Sequence, residues 1–205
     1  MKTGKLLFIA YILYTIPALA QDTSLFYENG ELKSQGNIQN EQRQGLWKHY
    51  YPNGKLSATE NYQNGFLNGE VIYYDTSGIR IGIENWTEGL LQDSAKYFYS
   101  SGNLEKAGLF SDGMYTGRWI FYHENGKLKR EGTYKEGLPE GDWVFYNEKA
   151  VKIQEGLFKS GLEHGPWKFY DDTGRLEYTG CFDSGVKTGD WYFHKKSGKK
   201  KKIKY

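Results

Sequence analysis

The sequence predicts an all-β fold, an elongated antiparallel β-meander built from β-hairpin repeats that are 24 residues long. One reason is the composition, because 17% of the residues are aromatic and the chain holds 26 glycines but only 4 prolines. Aromatic side chains favour strands, and frequent glycines suit the tight turns between them. The second reason is that glycine and aromatic columns recur along the chain in one register.

The repeat is clearest in residues 117–122, which read GRWIFY. The strong copies begin at Gly45, Gly117, Gly141, Gly165 and Gly189. These starts differ by multiples of 24, and weaker copies begin at Gly69 and Asp93. Self-similarity at a fixed period is the signature of a repeat architecture. A unit of this length has room for one hairpin, which favours an open ribbon of about 14 strands at ~4.8 Å spacing over a closed propeller.

The repeat divides the chain into three parts. We assign 1–20 to a signal peptide, 21–194 to the repeat array and 195–205 to a lysine-rich C-terminal edge strand or tail. The array consists of a half-repeat at 21–44, repeats starting at 45, 69, 93, 117, 141 and 165, and a final half-repeat from 189.

Each unit contains two strand-length segments separated by dipeptides such as Asn-Gly and Asp-Gly. Such dipeptides supply the positive φ angles that tight hairpin turns need. If the hairpin closes at Asn125-Gly126, Trp119 lies opposite Gly132, so that a large indole covers a residue without a side chain. The predicted core of the repeats is formed by Trp47, Trp119, Trp143, Trp167, Trp191, Phe121, Phe145, Phe169, Tyr62, Trp86, Phe110, Tyr134, Phe158 and Phe182.

Residues 117–137, GRWIFYHENGKLKREGTYKEG, resemble the MORN-repeat variant family, which includes the YwqK-like antitoxins. The resemblance extends over about residues 24–198, and Val71 and Ala95 depart from it by replacing tryptophan. It implies elongated β-hairpin arrays that act in protein–protein or membrane-associated scaffolding. It also implies, as one alternative, a neutralising binder of a toxin.

The first twenty residues read as a secretory signal. Lys2 and Lys5 precede an apolar stretch, Leu6 to Ile16, and small residues follow it. This order is that of a cleavable signal peptide with its cut between Ala20 and Gln21. Because no later apolar run is long enough to span a membrane, we expect an exported protein that is periplasmic or extracellular. A short helix is expected within the signal peptide.

Charge and cysteine content limit the partners. Residues 21–194 carry 18 basic and 25 acidic residues, a net charge of −7, so binding of nucleic acid is not expected. The single cysteine of the chain, Cys181, excludes an intramolecular disulfide, and we expect it to be a small residue packed within a strand.

No catalytic constellation is found in the sequence. The four histidines, His49, His123, His164 and His194, fall in different units without ligand spacing. Glu60 and Glu84 stand in a column that is usually glycine, and nothing in the pattern places them across a cleft. We therefore predict no enzymatic activity, no cofactor and no metal.

Two surfaces are candidates for binding. One tyrosine per unit follows an inward-facing residue and is expected on the opposite face of the sheet. This candidate interaction face is formed by Tyr50, Tyr74, Tyr122, Tyr146 and Tyr170. Its tyrosines could form a recognition surface or simply cover the second face by stacking on lysine stems.

The second candidate surface is the lysine cluster at the C-terminus. Its members are Lys195, Lys196, Lys199, Lys200, Lys201, Lys202 and Lys204. They could bind anionic lipid or an envelope polymer, protect an open sheet edge, or form a frayed tail. The leading expectation for the whole chain is a non-enzymatic scaffold that binds another protein at the cell envelope.

Overall fold

The computed structural model describes residues 21–204. The predicted signal helix and the Ala20 side of the predicted cleavage site lie outside these residues, and Gln21 begins the first strand. The described part is a single antiparallel sheet of 17 strands. In residues 21–204, no helix is long and apolar enough to cross a membrane.

The strands follow one another as an open meander. Their bounds are β1 Gln21–Phe26, β2 Leu32–Gln39, β3 Gln42–Tyr50, β4 Leu56–Gln63, β5 Phe66–Leu67, β6 Gly69–Tyr74, β7 Arg80–Thr87, β8 Leu90–Phe98, β9 Leu104–Ser111, β10 Met114–Tyr122, β11 Leu128–Lys135, β12 Leu138–Tyr146, β13 Lys152–Lys159, β14 Leu162–Tyr170, β15 Leu176–Asp183, β16 Val186–His194 and β17 Lys200–Ile203. Each strand pairs with its neighbour in the chain, except that β5 and β6 both pair with β4. The all-β antiparallel meander is confirmed.

The strand count exceeds the predicted value of about 14 for local reasons. A break in pairing divides one strand into β5 and β6, and the half-repeats at the two ends add β1 and β17. The break falls at Asn68, just before Gly69, whose φ is 107°. Gly69 nevertheless pairs with Trp86 of β7, so the interruption is confined to Asn68 between β5 and β6.

The hairpins close in two ways. One rim has two-residue turns in which both central residues have positive φ, as at Asp112-Gly113 with 52° and 77°. This is the type I′ geometry that matches strand twist. The opposite rim has five-residue loops, in which His123 N donates to Lys127 O over 2.8 Å and Gly126 N donates to His123 O over 2.9 Å.

The Trp–Gly register is the predicted one, but the ring over the glycine comes from the other neighbouring strand. Trp119 lies opposite Gly132 between β10 and β11. A Cβ atom on Gly132 would lie 2.2 Å from Cδ2 of Trp143, on β12. The indole therefore reaches back over the strand that precedes it, and any side chain at this glycine would collide with the ring.

A bulge places the indole there. Thr133 pairs with Glu140 and Glu131 with Val144, so three residues of β12 face the single Gly132. The ring is fixed because Trp143 Nε1 donates to Thr133 O over 3.2 Å. The same contact of the indole with the glycine occurs at Gly36/Trp47, Gly108/Trp119, Gly156/Trp167 and Gly180/Trp191.

These contacts bury a core within a single layer. The five tryptophans of the column are at most 3% exposed. The rings of the second segments flank each indole edge-on, with Tyr134 at 5.1 Å and Phe158 at 5.8 Å from Trp143 between centroids. Burial of one such side chain contributes roughly 1.5–3 kcal/mol.

Cys181 differs from expectation. It lies in β15, but its side chain is exposed rather than packed. The reason is that it follows Gly180, which faces the indole of Trp191, and alternation turns the next residue to the other face.

Ala150 provides a test of the loop geometry. It occupies the position of Gly126 in the next unit and has a φ of 63°, which costs a residue with a Cβ roughly 1–2 kcal/mol. We expect Ala150→Gly to raise the free energy of unfolding by about 1 kcal/mol. The measurement is urea unfolding followed by tryptophan fluorescence. The matched control, Gly126→Ala, should lower stability by a similar amount. Equal stability of the Ala150→Gly variant and the parent chain would contradict the proposal that Ala150 has a strained backbone conformation.

Candidate functional site

The aromatic face changes character in the early units. Glu60 and Glu84 stand where the other units have the covered glycine. In the same two units, Val71 and Ala95 replace the tryptophan that would cover it. Loss of the glycine and loss of the indole thus occur together, because a glutamate side chain and an indole cannot share one site. We call Glu60, Glu84 and the polar groups around them the polar segment.

Glu84 is the buried centre of the polar segment. It is 8% exposed, and its carboxylate accepts hydrogen bonds from Tyr97 Oη at 2.6 Å and from Trp86 Nε1 at 3.1 Å. Within the described residues, no lysine, arginine or histidine nitrogen forms an ion pair with it. The two neutral donors therefore stabilise a charge that would otherwise be costly to bury.

The hydroxyls around Glu84 respond to its charge. Burial, together with the hydrogen bond to Glu84, raises the pKa of Tyr97 well above its usual range. Burial raises the pKa of Tyr73 as well, and the nearby Glu84 adds to the effect. Both tyrosines therefore keep their protons as donors throughout the physiological pH range.

Glu60 has a more polar and more open setting. Its carboxylate accepts a hydrogen bond from Tyr62 Oη at 2.7 Å and lies 2.8 Å from His49 Nε2 and 3.8 Å from Arg43 Nη1. Burial acts to raise the pKa of Glu60, but the hydrogen bonds from His49 and Tyr62 outweigh it, so the pKa lies below its ordinary value. Glu60 is thus ionised at neutral pH.

The arrangement holds two carboxylates on the aromatic face. Both carboxylates accept hydrogen bonds from side chains on the same face of the sheet, so their hydrogen-bonding capacity is used within the protein. No group of three or more His, Cys, Asp or Glu side chains in residues 21–204 is placed to hold a metal ion. We therefore interpret the polar segment as the packing solution of the units that lack tryptophan.

The other histidines have separate surroundings. His123 Nε2 lies 2.9 Å from Tyr146 O, His164 Nδ1 lies 3.4 Å from Asp183 Oδ1, and His194 Nε2 lies 2.9 Å from Thr179 Oγ1. None of these contacts joins two histidines.

The five tyrosines of the candidate interaction face are half-buried. Tyr50 Oη accepts a hydrogen bond from Gln35 Nε2 at 3.1 Å, and Tyr170 Oη donates to Glu155 Oε1. Lys152 Nζ lies 4.8 Å from the centroid of the Tyr170 ring. These contacts favour the structural interpretation of the column, in which tyrosines and lysine stems cover the second face of the sheet.

The lysine cluster lies on the last strand, on the loop before it and, with Lys204, just after it. Lys200, Lys201 and Lys202 pair with β16 and are exposed. Lys202 Nζ lies 2.5 Å from Asp190 Oδ1. Lysines on a sheet edge oppose edge-to-edge aggregation, so this placement favours edge protection over a frayed tail.

The sequence analysis missed a hydrogen-bond ladder along the rim of five-residue loops. Tyr27, Tyr51 and Tyr99 donate through Oη to the backbone oxygens of Tyr50, Tyr74 and Tyr122, over 2.7 to 2.8 Å. The signal was present as a tyrosine at a spacing of 24 residues in a column that the aromatic face does not use. Three loops are thereby joined to the strand end that precedes the loop of the next unit.

Four segments match the family model described as the MORN repeat variant: 23–40, 43–64, 115–136 and 163–184. The chain contains MORN-variant repeats at these four places. The longest stretch between matched segments, 65–114, contains Val71, Glu84 and Ala95, where the 24-residue units depart from the tryptophan–glycine pairing.

Similarity to solved structures is low. The crystal structure of TcdB2-TccC3-Cdc42 is 13% identical with a TM-score of 0.23, and covers 83% of this chain and 12% of that one. The crystal structure of TcdB2-TccC3 is 15% identical with a TM-score of 0.20, and covers 84% of this chain and 13% of that one. The crystal structure of a porin-like protein from Bacteroides uniformis ATCC 8492 is 10% identical with a TM-score of 0.22, and covers 90% of this chain and 87% of that one. The chain thus spans about an eighth of the first two. No curated protein matches it.

The pairing of Glu84 with Ala95 can be tested by a double-mutant cycle. Ala95→Trp should cost about 1–3 kcal/mol because Glu84 occupies the indole site. Glu84→Gly should cost about 1–3 kcal/mol because Tyr97 and Trp86 lose their acceptor. The double variant should cost less than the sum, since the indole then covers glycine. Urea unfolding of the four proteins measures the coupling.

The control is the reverse cycle in a regular unit, Gly132→Glu with Trp143→Ala. There each single change should destabilise, and the double variant should again cost less than the sum. If the losses of unfolding free energy were additive in both cycles, this would contradict the conclusion that the glutamate and the indole compete for one site.

Glu155 should make stability depend on pH. The Lys152 ammonium and the Tyr170 hydroxyl lower its pKa to about 2 from an ordinary value of 4.5. A lowered pKa stabilises the fold above pH 4.5, and this contribution is lost as pH falls towards 2. We expect Glu155→Gln to be less stable than the parent chain at pH 7, with the difference shrinking between pH 4.5 and pH 2.

Urea midpoints across this pH range provide the measurement. Glu148→Gln, at an exposed loop position, is the control and should show no such trend. A difference for Glu155→Gln that stays constant down to pH 2 would contradict the assignment.

Proposed function

We propose that this chain is an exported, non-enzymatic repeat scaffold that presents its sheet to another protein at the cell envelope. The supporting observation is that the array packs its aromatic core without a partner. The five indoles of the tryptophan column are at most 3% exposed, and three of the loops are hydrogen-bonded to the next unit through tyrosine hydroxyls, which favours a rigid array. A rigid surface binds well because it loses little conformational entropy on association.

Export to the periplasm or the cell exterior is part of this proposal and rests on the signal sequence in 1–20. The same rigidity also suits an antitoxin-like binder that neutralises an exported partner. That version rests on the family resemblance, and it differs from the first only in what the partner does.

A second candidate function has an observation of its own. The lysines of 195–204 are exposed, and three of them lie on one short strand. A cluster of this size attracts anionic lipid or an anionic envelope polymer. In this alternative the chain is a peripheral envelope protein.

The two functions separate in one experiment. Tagged 21–205 is crosslinked in the native cell envelope beside a variant in which all seven lysines of 195–204 are changed to glutamine. The lysine variant keeps the residues that pair as β17, which a truncation would remove. Stoichiometric recovery of one protein with both chains supports the scaffold. Recovery of membrane material only with the lysines intact supports the alternative and overturns the scaffold.

A further inference from the structure

One rim of the sheet carries a row of apolar side chains that the fold does not bury. Each of them directly follows the glycine of a two-residue turn, so the row repeats every 24 residues. We call this row the apolar rim; its members and exposures are Phe66 59%, Leu90 50%, Met114 45%, Leu138 49%, Leu162 48% and Val186 68%. Single exposed apolar residues are ordinary, but a contiguous row marks a binding surface.

Most side chains of the row contact the turn of the next unit. Phe66 lies 3.2 Å from where a Cβ on Gly89 would stand, and Leu138 lies 3.3 Å from the same point on Gly161. Met114 and Leu162 also lie against the next turn, whereas Leu90 does not reach Gly113. The turns are also bonded to the preceding unit, as in Gly113 N donating to Leu91 O over 2.9 Å. The backbone of these turns is therefore held by the neighbouring unit.

Negative charge accompanies the apolar rim in its central part. Glu88, Asp112 and Glu136 each stand two residues before a rim residue, and all three are exposed. No lysine, arginine or histidine nitrogen in residues 21–204 forms an ion pair with these three carboxylates. We call them the acidic turns. Three consecutive units thus read acid, glycine, apolar residue, with charge available to a partner.

The spacing indicates the shape of that partner. Successive rim residues are two strands apart, which is ~9.6 Å. Seven residues of an α-helix rise by ~10.5 Å. A helix laid along the rim would therefore meet Leu90, Met114 and Leu138 with every seventh residue, and would drift by only ~2 Å over the two intervals.

We propose that the central apolar rim, Leu90 to Leu138 with its acidic turns, binds a basic amphipathic helix of a partner protein. The helix bears an apolar and a basic residue in each heptad. This inference rests on the proposed scaffold function and specifies its partner. A second copy of the chain fits less well because two acidic rims repel each other, and an anionic membrane is disfavoured for the same reason.

The probe is a fluorescent, alanine-rich helical peptide of about 22 residues with one Leu and one Lys in each heptad. Its binding to residues 21–205 is followed by anisotropy, beside a peptide with Glu in place of Lys. The parent chain should prefer the Lys peptide. Leu90→Ser combined with Met114→Ser and Leu138→Ser should weaken binding by about tenfold or more. Leu46→Ser with Leu109→Ser is the matched control, since these leucines are equally exposed but off the rim.

A charge swap tests the proposal without touching the apolar residues. Glu88→Lys with Glu136→Lys keeps side chains of similar length at the same turn positions, and it should reverse the preference towards the Glu peptide. Equal binding of both peptides by the parent chain would overturn the proposal. Serine variants that bind like the parent would also overturn it. So would rim-dependent dimerisation, or rim-dependent sedimentation with phosphatidylcholine vesicles.

The envelope crosslinking experiment distinguishes this inference from the scaffold function. If the serine variant still recovers the same protein, the scaffold stands and the rim assignment fails. If the Lys peptide binds at the rim but no envelope protein is recovered, the scaffold function fails and the helix-binding surface stands.

Discussion

The structure depends on one contact, an indole lying over a glycine of the preceding strand. A side chain at the glycine would occupy the ring's place, and a smaller residue than tryptophan would leave the strand uncovered. The bulge before each tryptophan supplies the extra residues that let the ring reach back. In the units where the ring's hydrogen bond is seen, it ends on the carbonyl of the residue after that glycine. Each unit therefore completes the core of the unit before it.

This dependence explains how a single sheet has a core at all. A lone hairpin could not bury its aromatic face, and stacking along the ribbon gives each indole rings on either side. The core is a single row of side chains along the ribbon, so a destabilising substitution in one unit should destabilise mainly the neighbouring units. The ladder of loop hydrogen bonds runs parallel to this row and joins the same units at the rim.

The polar segment shows what the fold requires when the contact is missing. A glutamate in the glycine column fills the space of the absent indole, but its charge must then be satisfied within the face. The neighbouring aromatic column changes accordingly. It holds His49, Tyr73 and Tyr97 beside the two glutamates, and phenylalanine from Phe121 onward. The space over this position of the repeat is therefore filled either by an indole packed on glycine or by a hydrogen-bonded glutamate.

The surfaces available for binding are those that the repeat leaves unsatisfied. The aromatic face is occupied by its own packing, and the tyrosines of the other face are half-buried against lysine and glutamate side chains. The two-residue turns differ from both, because their apolar residues and acids have few partners within the sheet. Function in a repeat of this kind is therefore expected at a rim rather than across a face.

The sequence alone determined the fold class, the period and the pairing of Trp119 with Gly132, because turn glycines and alternating aromatics act within one hairpin. It also marked Glu60 and Glu84 as irregular. Tertiary structure decided which indole covers which glycine, since the bulge that sets it involves a residue of the next hairpin. It also decided the exposure of the apolar rim and of Cys181. Burial depends on what neighbouring units place on each side, and a pattern within one unit does not contain that information.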